Sequence, residues 1–82
     1  MRIQADEVRE IRRFFNNMTQ ARLAEATRLS QPIIAAVETG SRPITTNFQR
    51  KLIEGLKLQP EIIESIRKAT QIYEESKRQF ND

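Results

Sequence analysis

The side chains of this chain that could take part in chemistry are amides, hydroxyls, carboxylates, lysines and guanidinium groups, because cysteine and histidine are both absent. Their absence removes the most common general base, the most common metal ligand and every thiolate. A Ser–His or Cys–His pair is impossible, and two glycines in 82 residues do not make a phosphate-binding loop. We therefore expect a protein that is not an enzyme and that uses no metal or cofactor.

Polar and cationic residues surround one short apolar run in the stretch RLSQPIIAAVETGSR, from Arg28 to Arg42. Ile33 to Val37 are all apolar, whereas a surface helix usually has its apolar residues three and four apart, on one face. Either both faces of this segment are buried, or one face is offered to a partner. Gln31 and Ser30, at its start, can form hydrogen bonds with such a partner.

The length and charge of the chain limit the classes of protein to which it can belong. With 82 residues the chain forms one small domain with a single modest core. Residues 1–58 carry ten Lys or Arg and six Asp or Glu, a balance of +4, and residues 59–82 carry four and five, a balance of −1. A basic N-terminal part suits a polyanion such as nucleic acid. No apolar run reaches the roughly 20 residues of a membrane span, so we expect a cytoplasmic protein without membrane contacts.

Helix start and stop signals divide the chain into five helices and leave no strand alternation, so we predict an all-α fold. Thr19 and Ser30 are natural N-caps for two short helices, and Pro32 suits the first turn of the second. Gly40, followed by Pro43, ends that helix. The other predicted helices are a first that Asp6 caps and Asn16–Asn17 ends, a fourth from about Asn47 and a fifth from Glu61 to Phe80.

The two short helices, Thr19 to about Ala26 and Ser30 to Thr39, form a helix-turn-helix pattern with their tight turn. This pattern resembles that of the phage-repressor-like (Cro/CI, or XRE) family of bacterial and phage transcriptional regulators. The matching residues are Thr19-Gln20, Leu23-Ala24-Glu25, Leu29-Ser30, Ile34, Val37-Glu38, Gly40 and Arg42-Pro43. The resemblance implies a five-helix lambda-repressor-like DNA-binding domain over residues 1–58, with the helix-turn-helix at about 19–39. Residues 59–82 then form a C-terminal amphipathic helix, which we expect to dimerise.

The resemblance implies that the second helix of the pair enters the DNA major groove. Ile34 and Val37, three residues apart, would then face the core. The outward face would read bases through Gln31, Pro32, Ala35 and Ala36. Gln31 occupies the leading position, where an amide can read adenine. Relatives usually carry polar residues at the positions of Pro32 and Ala36, whereas an alanine can only contact a thymine methyl group.

Five further residues are expected to contact phosphates or to position the two helices: Gln20, Arg22, Arg28, Ser30 and Arg42. Arg28 stands where the family commonly has glycine, so it must accept an unusual backbone conformation or shift the turn. The resemblance also implies a partly buried salt bridge between Arg13 and Glu38, which would fix the second helix of the pair to the first helix of the chain. Gly55, near the end of the fourth helix, is either a cap or a close-packing position.

We expect a dimeric repressor that recognises a near-palindromic operator in double-stranded DNA, because one helix reads only a few base pairs. The homodimer would form through the C-terminal helix, with Ile66, Tyr73 and Phe80 as contacts. The alternative is an antitoxin, a protein-binding module that also regulates its own operon, whose outward face would bind a toxin or another protein partner. Either protein would work in the cytoplasm, at the nucleoid.

Overall fold

Within residues 1–81, five α-helices account for most of the chain. The computed structural model describes the backbone of residues 1–81 and the side chains of residues 1–77. No β-strand occurs within the described backbone, which confirms the predicted all-α class. The helices are α1 (Ala5–Phe14), α2 (Gln20–Thr27), α3 (Gln31–Glu38), α4 (Thr46–Leu56) and α5 (Pro60–Asn81). Across the described residues, no helix combines the length and the apolar character needed to cross a membrane.

Threonine and serine hydroxyls cap the N-termini of α2, α3 and α4. Each hydroxyl accepts a hydrogen bond from the backbone N–H three residues further on, which satisfies a donor that the helix leaves unpaired. The pairs are Thr19 with Arg22 at 3.1 Å, Ser30 with Ile33 at 3.3 Å and Thr45 with Phe48 at 3.0 Å. The predicted caps Thr19 and Ser30 are confirmed. Because Thr45 caps α4, that helix begins one residue before the expected Asn47.

The turn between α2 and α3 contains a residue in the left-handed region. Arg28 has φ 60° and ψ 26°, a conformation that glycine adopts freely and that other residues adopt at a steric cost. The unusual backbone expected at this position is therefore confirmed. Gly40, with φ 83°, lies beyond the end of α3 in the same region, as glycines after helix ends commonly do.

The core receives buried side chains from all five helices. α3 contributes Ile34 and Val37, which are 0% and 1% exposed, as the sequence predicted. α5 contributes Ile63 and Ile66, each 4% exposed. The core therefore runs across the expected boundary between residues 1–58 and 59–82. Its buried apolar members are Ile3, Val8, Ile11, Leu23, Leu29, Ile34, Val37, Phe48, Leu52, Leu58, Ile63 and Ile66.

The helix α4 lies directly against α2 at Gly55. A Cβ atom at Gly55 would lie 2.6 Å from the carbonyl oxygen of Ala26 and 2.7 Å from the Cα of Thr27. Both neighbours are backbone atoms, which cannot rotate out of the way as a flexible side chain can. Gly55 is thus a close-packing position rather than a cap, and the residue that caps the helix after Leu56 is Lys57, with φ 52°.

Gly55→Ala should lower the free energy of unfolding by about 2 kcal/mol, a typical cost of overpacking, although alanine favours a helix interior more than glycine does. Urea denaturation followed by circular dichroism measures the change. Glu54→Ala, at the exposed neighbouring position, is the matched control and should change the free energy by less than about 0.5 kcal/mol. Equal stability of the two variants would contradict the close approach.

Candidate nucleic-acid interface

A buried carboxylate fixes α3 to α1. The side chain of Glu38, the last residue of α3, is 1% exposed. Arg12 of α1 donates two hydrogen bonds to it, from Nε to Oε2 at 2.7 Å and from Nη2 to Oε1 at 2.8 Å. The Arg12 Nη1 also donates to the carbonyl of Met18 at 2.9 Å, which connects the segment before α2 to the same guanidinium group. A bidentate pair of this kind fixes both the distance and the orientation of its two helices.

The prediction of a salt bridge between Arg13 and Glu38 is wrong, because the neighbouring residue Arg12 forms it instead. Arg13 pairs with Glu10 of its own helix at 3.0 Å, on the surface. Consecutive helix residues point about 100° apart, and Val8 defines the buried face of α1. Arg12, four residues after Val8, lies at the edge of that face and can reach Glu38, whereas Arg13 points away from it.

Gln20 belongs to the same cluster, because its Nε2 donates to Glu38 Oε1 at 3.0 Å. This bond joins the first residue of α2 to the last residue of α3. It uses one of the two amide hydrogens, so a phosphate contact by Gln20 would use the other or the backbone N–H. Ser30 accepts the capping hydrogen bond through its oxygen, and its hydroxyl proton can still be donated. We name Arg12, Gln20 and Glu38 the Glu38 cluster.

The Glu38 carboxylate is ionised at neutral pH despite its burial. Burial raises its pKa, but the hydrogen bonds from Arg12 and Gln20 and the charges of Arg12 and Arg9 outweigh that effect, so the pKa lies below its ordinary value of 4.5. The hydrogen bond to Glu38 in turn raises the pKa of Arg12. Both partners are therefore charged over the physiological range, and loss of Arg12 would leave the buried carboxylate with only the longer 3.9 Å ion pair to Arg9.

The outer side of α3 is a small surface of low polarity. Ile34 and Val37 point into the core, which leaves the other side of the helix accessible. Two exposed residues and two partly exposed alanines form this accessible surface: Gln31, Pro32, Ala35 and Ala36. We name it the α3 face. The helix has the two faces that the sequence predicted, and the four residues expected to read bases lie together.

Exposed arginines lie near both ends of the α3 face. Arg28 is in the turn before α3, Arg42 follows the helix, and Arg22 is on α2; all three are exposed. The backbone N–H groups of Ser41 and Arg42 donate to the carbonyl of Ala36 at 2.8 and 3.2 Å. The chain therefore folds back onto the last turn of α3, and Arg42 is held close to that end of the helix.

The residues expected at a dimer interface have different environments. The prediction that Ile66 is an interface residue is wrong. Ile66 is 4% exposed, lies in the chain's own core and offers a second copy almost no surface. Tyr73 is 60% exposed, and its neighbour Ile72 is 63% exposed. Tyr73 and the half-exposed Phe14 border an open hollow of about 430 Å³ between α1 and α5. Phe80 lies outside the residues whose side chains are described.

Sequence reasoning missed one contact that holds α5 in place. Arg67 donates from Nε to Glu7 Oε2 at 2.6 Å and from Nη2 to the carbonyl of Arg2 at 2.7 Å. The hydrogen bond from Arg67 lowers the pKa of Glu7. The partners are sixty residues or more apart, and no periodicity in one sequence links positions so distant. Ile72 was also missed, because it lies beside the stripe of apolar residues three and four apart.

Comparison of the chain with protein-family models, with curated proteins and with solved structures found no match. Within the described residues, no group of three or more potential metal-binding side chains is placed to hold an ion. The contacts, exposure and charge of this chain's own residues are therefore the basis for assigning a function to the α3 face.

The two neighbouring arginines of α1 provide a matched test of the Glu38 cluster. Arg12→Ala should lower the free energy of unfolding by about 3 kcal/mol, because it removes the bidentate partner of a buried carboxylate and leaves only Gln20 at 3.0 Å and the half-exposed Arg9 at 3.9 Å. Arg13→Ala removes only an exposed pair and should cost less than about 0.5 kcal/mol. Urea denaturation at pH 7 measures both variants. A larger loss for Arg13→Ala than for Arg12→Ala would contradict the cluster.

Proposed function

We propose that this chain is a sequence-specific DNA-binding transcriptional regulator, and that α3 enters the major groove. The observation that supports this most directly is the α3 face itself, which is accessible, rigidly attached through the Glu38 cluster and flanked by exposed arginines. The major groove, about 12 Å wide, admits an α-helix. A rigidly held helix can present the same few side chains to every copy of a binding site, which is what base reading requires.

The proposed roles follow the chemistry of each side chain. Gln31 reads a base, because its amide can pair with the two polar groups on the major-groove edge of adenine. Arg22, Arg28 and Arg42 contact phosphates, which fixes the position of the helix without reading sequence. Gln20 and Ser30, at the starts of α2 and α3, add phosphate contacts there. The resemblance of residues 6–58 to the phage-repressor-like family supports this assignment.

The proposed regulator is a homodimer that acts as a repressor in the cytoplasm. One α3 face covers only a few base pairs, and a symmetric pair would meet half-sites about 34 Å apart on a near-palindrome. The surface of α5 that bears Ile72 and Tyr73 supports a place for the second copy, because these two neighbouring side chains are more than half exposed and contiguous exposed apolar surface marks interaction sites.

Selection of bound duplexes from a random DNA pool tests the proposed function. We expect recovery of a near-palindromic sequence whose half-sites are one helical turn apart. Recovery of no common sequence would contradict the proposal and would favour the alternative of a protein-binding module such as an antitoxin. Recovery of a single, non-repeated half-site would retain DNA binding and contradict the symmetric dimer.

Gln31→Ala should relax the preference for one base pair in each half-site by about 1–3 kcal/mol, because it removes a base-reading amide. Titration of the wild type and the variant against single-base changes in the selected site measures the preference. Gln71→Ala, an exposed glutamine of α5, is the control and should leave every preference unchanged. If Gln31→Ala also leaves them unchanged, Gln31 does not read a base.

Arg42→Ala should weaken binding to all DNA sequences about equally and reduce the slope of log affinity against log salt concentration by about one unit, because one phosphate contact is lost. Binding isotherms between low and physiological salt provide the slope. Lys68→Ala removes an exposed charge of the same sign from α5 and should leave the slope unchanged. An unchanged slope for Arg42→Ala would exclude Arg42 from a phosphate contact.

The double variant Ile72→Ser/Tyr73→Ser should sediment as a monomer at concentrations where the wild type is a dimer. Both side chains are exposed in the single chain, so the circular dichroism spectrum should not change. Lys68→Ser/Glu75→Ser changes two exposed polar positions of α5 and should remain dimeric. A dimeric Ile72→Ser/Tyr73→Ser variant would place the contact between copies elsewhere.

A further inference from the structure

We infer that the α3 face reads thymine methyl groups, so that each half-site places at least one thymine C5-methyl against Pro32 or Ala36. This inference rests on the proposed DNA-binding function and goes beyond it, because it names the chemical group that is read. It also explains how a recognition helix with so few polar side chains could select a sequence.

The side chains of the α3 face are mostly apolar. Pro32 is exposed and has neither a side-chain polar group nor a backbone N–H. Ala35 and Ala36 are partly exposed and end in methyl groups. Gln31 is the one member of this face with a polar side chain. Most of the surface that a base pair would touch can therefore form apolar contacts and no hydrogen bonds.

The polar groups next to the C-terminal end of the α3 face already form hydrogen bonds within the chain. Glu38 is 1% exposed and accepts from Arg12 and Gln20. The Thr39 hydroxyl donates to the carbonyl of Ala36 at 3.2 Å and lies 3.1 Å from the Ser41 hydroxyl. These groups stabilise the end of α3, so they do not give the face the polar character that its own side chains lack.

Thymine is the base that an apolar face can distinguish. In the major groove each base pair displays hydrogen-bonding groups, and thymine alone adds an apolar group, its C5-methyl. An apolar surface placed over donors and acceptors would leave them without partners, which is costly. The same surface placed over a methyl group gains contact without that cost. Pro32 and Ala36 therefore favour a base pair that presents a methyl group at the position they cover.

The charge around the α3 face favours DNA over an apolar protein surface as the occupant. Residues 28–43 contain two arginines, Arg28 and Arg42, and one carboxylate, Glu38. Because Glu38 is buried against Arg12, the exposed charge around α3 in this segment is positive at both ends of the helix. An apolar strip between two cations matches a methyl-bearing groove between two phosphate backbones.

Replacement of single thymines by deoxyuridine in the selected duplex tests the inference, because uracil lacks only the methyl group. At one or more positions in each half-site the affinity should fall about fourfold, the effect of losing one buried carbon-sized apolar group. At the same positions, 5-methylcytosine should bind about fourfold more tightly than cytosine, because a proline or alanine contact detects the methyl group and not the hydrogen-bonding groups.

A protein variant assigns the methyl contact to α3. In Ala36→Gly the ratio of affinities for thymine and uracil duplexes should fall towards one at one position. Ala69→Gly removes a methyl group at an exposed position of α5 and changes the helix propensity by the same amount as Ala36→Gly. This control variant should keep the wild-type ratio of affinities. Each ratio is measured within one variant, so a loss of overall stability does not alter it.

The outcomes separate this inference from the proposed function. Sequence-specific binding that is unaffected by deoxyuridine at every thymine, or a selected half-site without thymine, would overturn methyl reading and leave DNA binding intact. A uracil effect that persists unchanged in both Ala36→Gly and Pro32→Gly would also overturn it. Absence of any specific DNA binding would overturn both.

Discussion

The Glu38 carboxylate is the constraint on which the placement of α3 depends. A buried charge is strongly destabilising unless it is paired and hydrogen-bonded, and Glu38 is 1% exposed. Its oxygens accept from Arg12 of α1 and Gln20 of α2, so α3 must keep the orientation in which both donors reach it. This orientation fixes the rotation of α3 about its axis. With Glu38, Ile34 and Val37 directed inward, the α3 face is left accessible.

The same domain holds α5 by its first half and leaves residues 71–77 exposed. Ile63 and Ile66 are in the core, and Arg67 binds Glu7 of α1. Beyond them, Ile72 and Tyr73 are more than half exposed. The chain therefore has two separate surfaces, one on α3 and one on α5. In the proposed regulator the first reads DNA and the second holds the partner copy, so that changes on one surface can be made without removing the other.

Local signals in the sequence predicted the helix caps and the turn conformation, which depend on neighbouring residues. Thr19 and Ser30 cap helices through bonds three residues away, and the left-handed turn falls at Arg28 as expected. What the sequence could not resolve depends on packing between helices. Whether Arg12 or Arg13 pairs with Glu38 depends on which side of α1 meets the core. The spacing of four residues from Val8 to Arg12 is a signal in the sequence that favours Arg12. The placement of helices that are distant in sequence determines three further features: the close approach at Gly55, the burial of Ile66 and the pairing of Arg67.

In the proposed regulator, the α3 face is the surface that meets DNA. Titration of ¹⁵N-labelled protein with the selected duplex, followed by the backbone amide resonances, tests it residue by residue. We expect the largest shifts at Gln31, Ala35 and Ala36, with smaller shifts near Arg28 and Arg42, and little change in the half of α5 that follows Arg67 beyond any effect of dimerisation. Shifts confined to the hollow between α1 and α5, with the resonances of α3 unchanged, would contradict the claim.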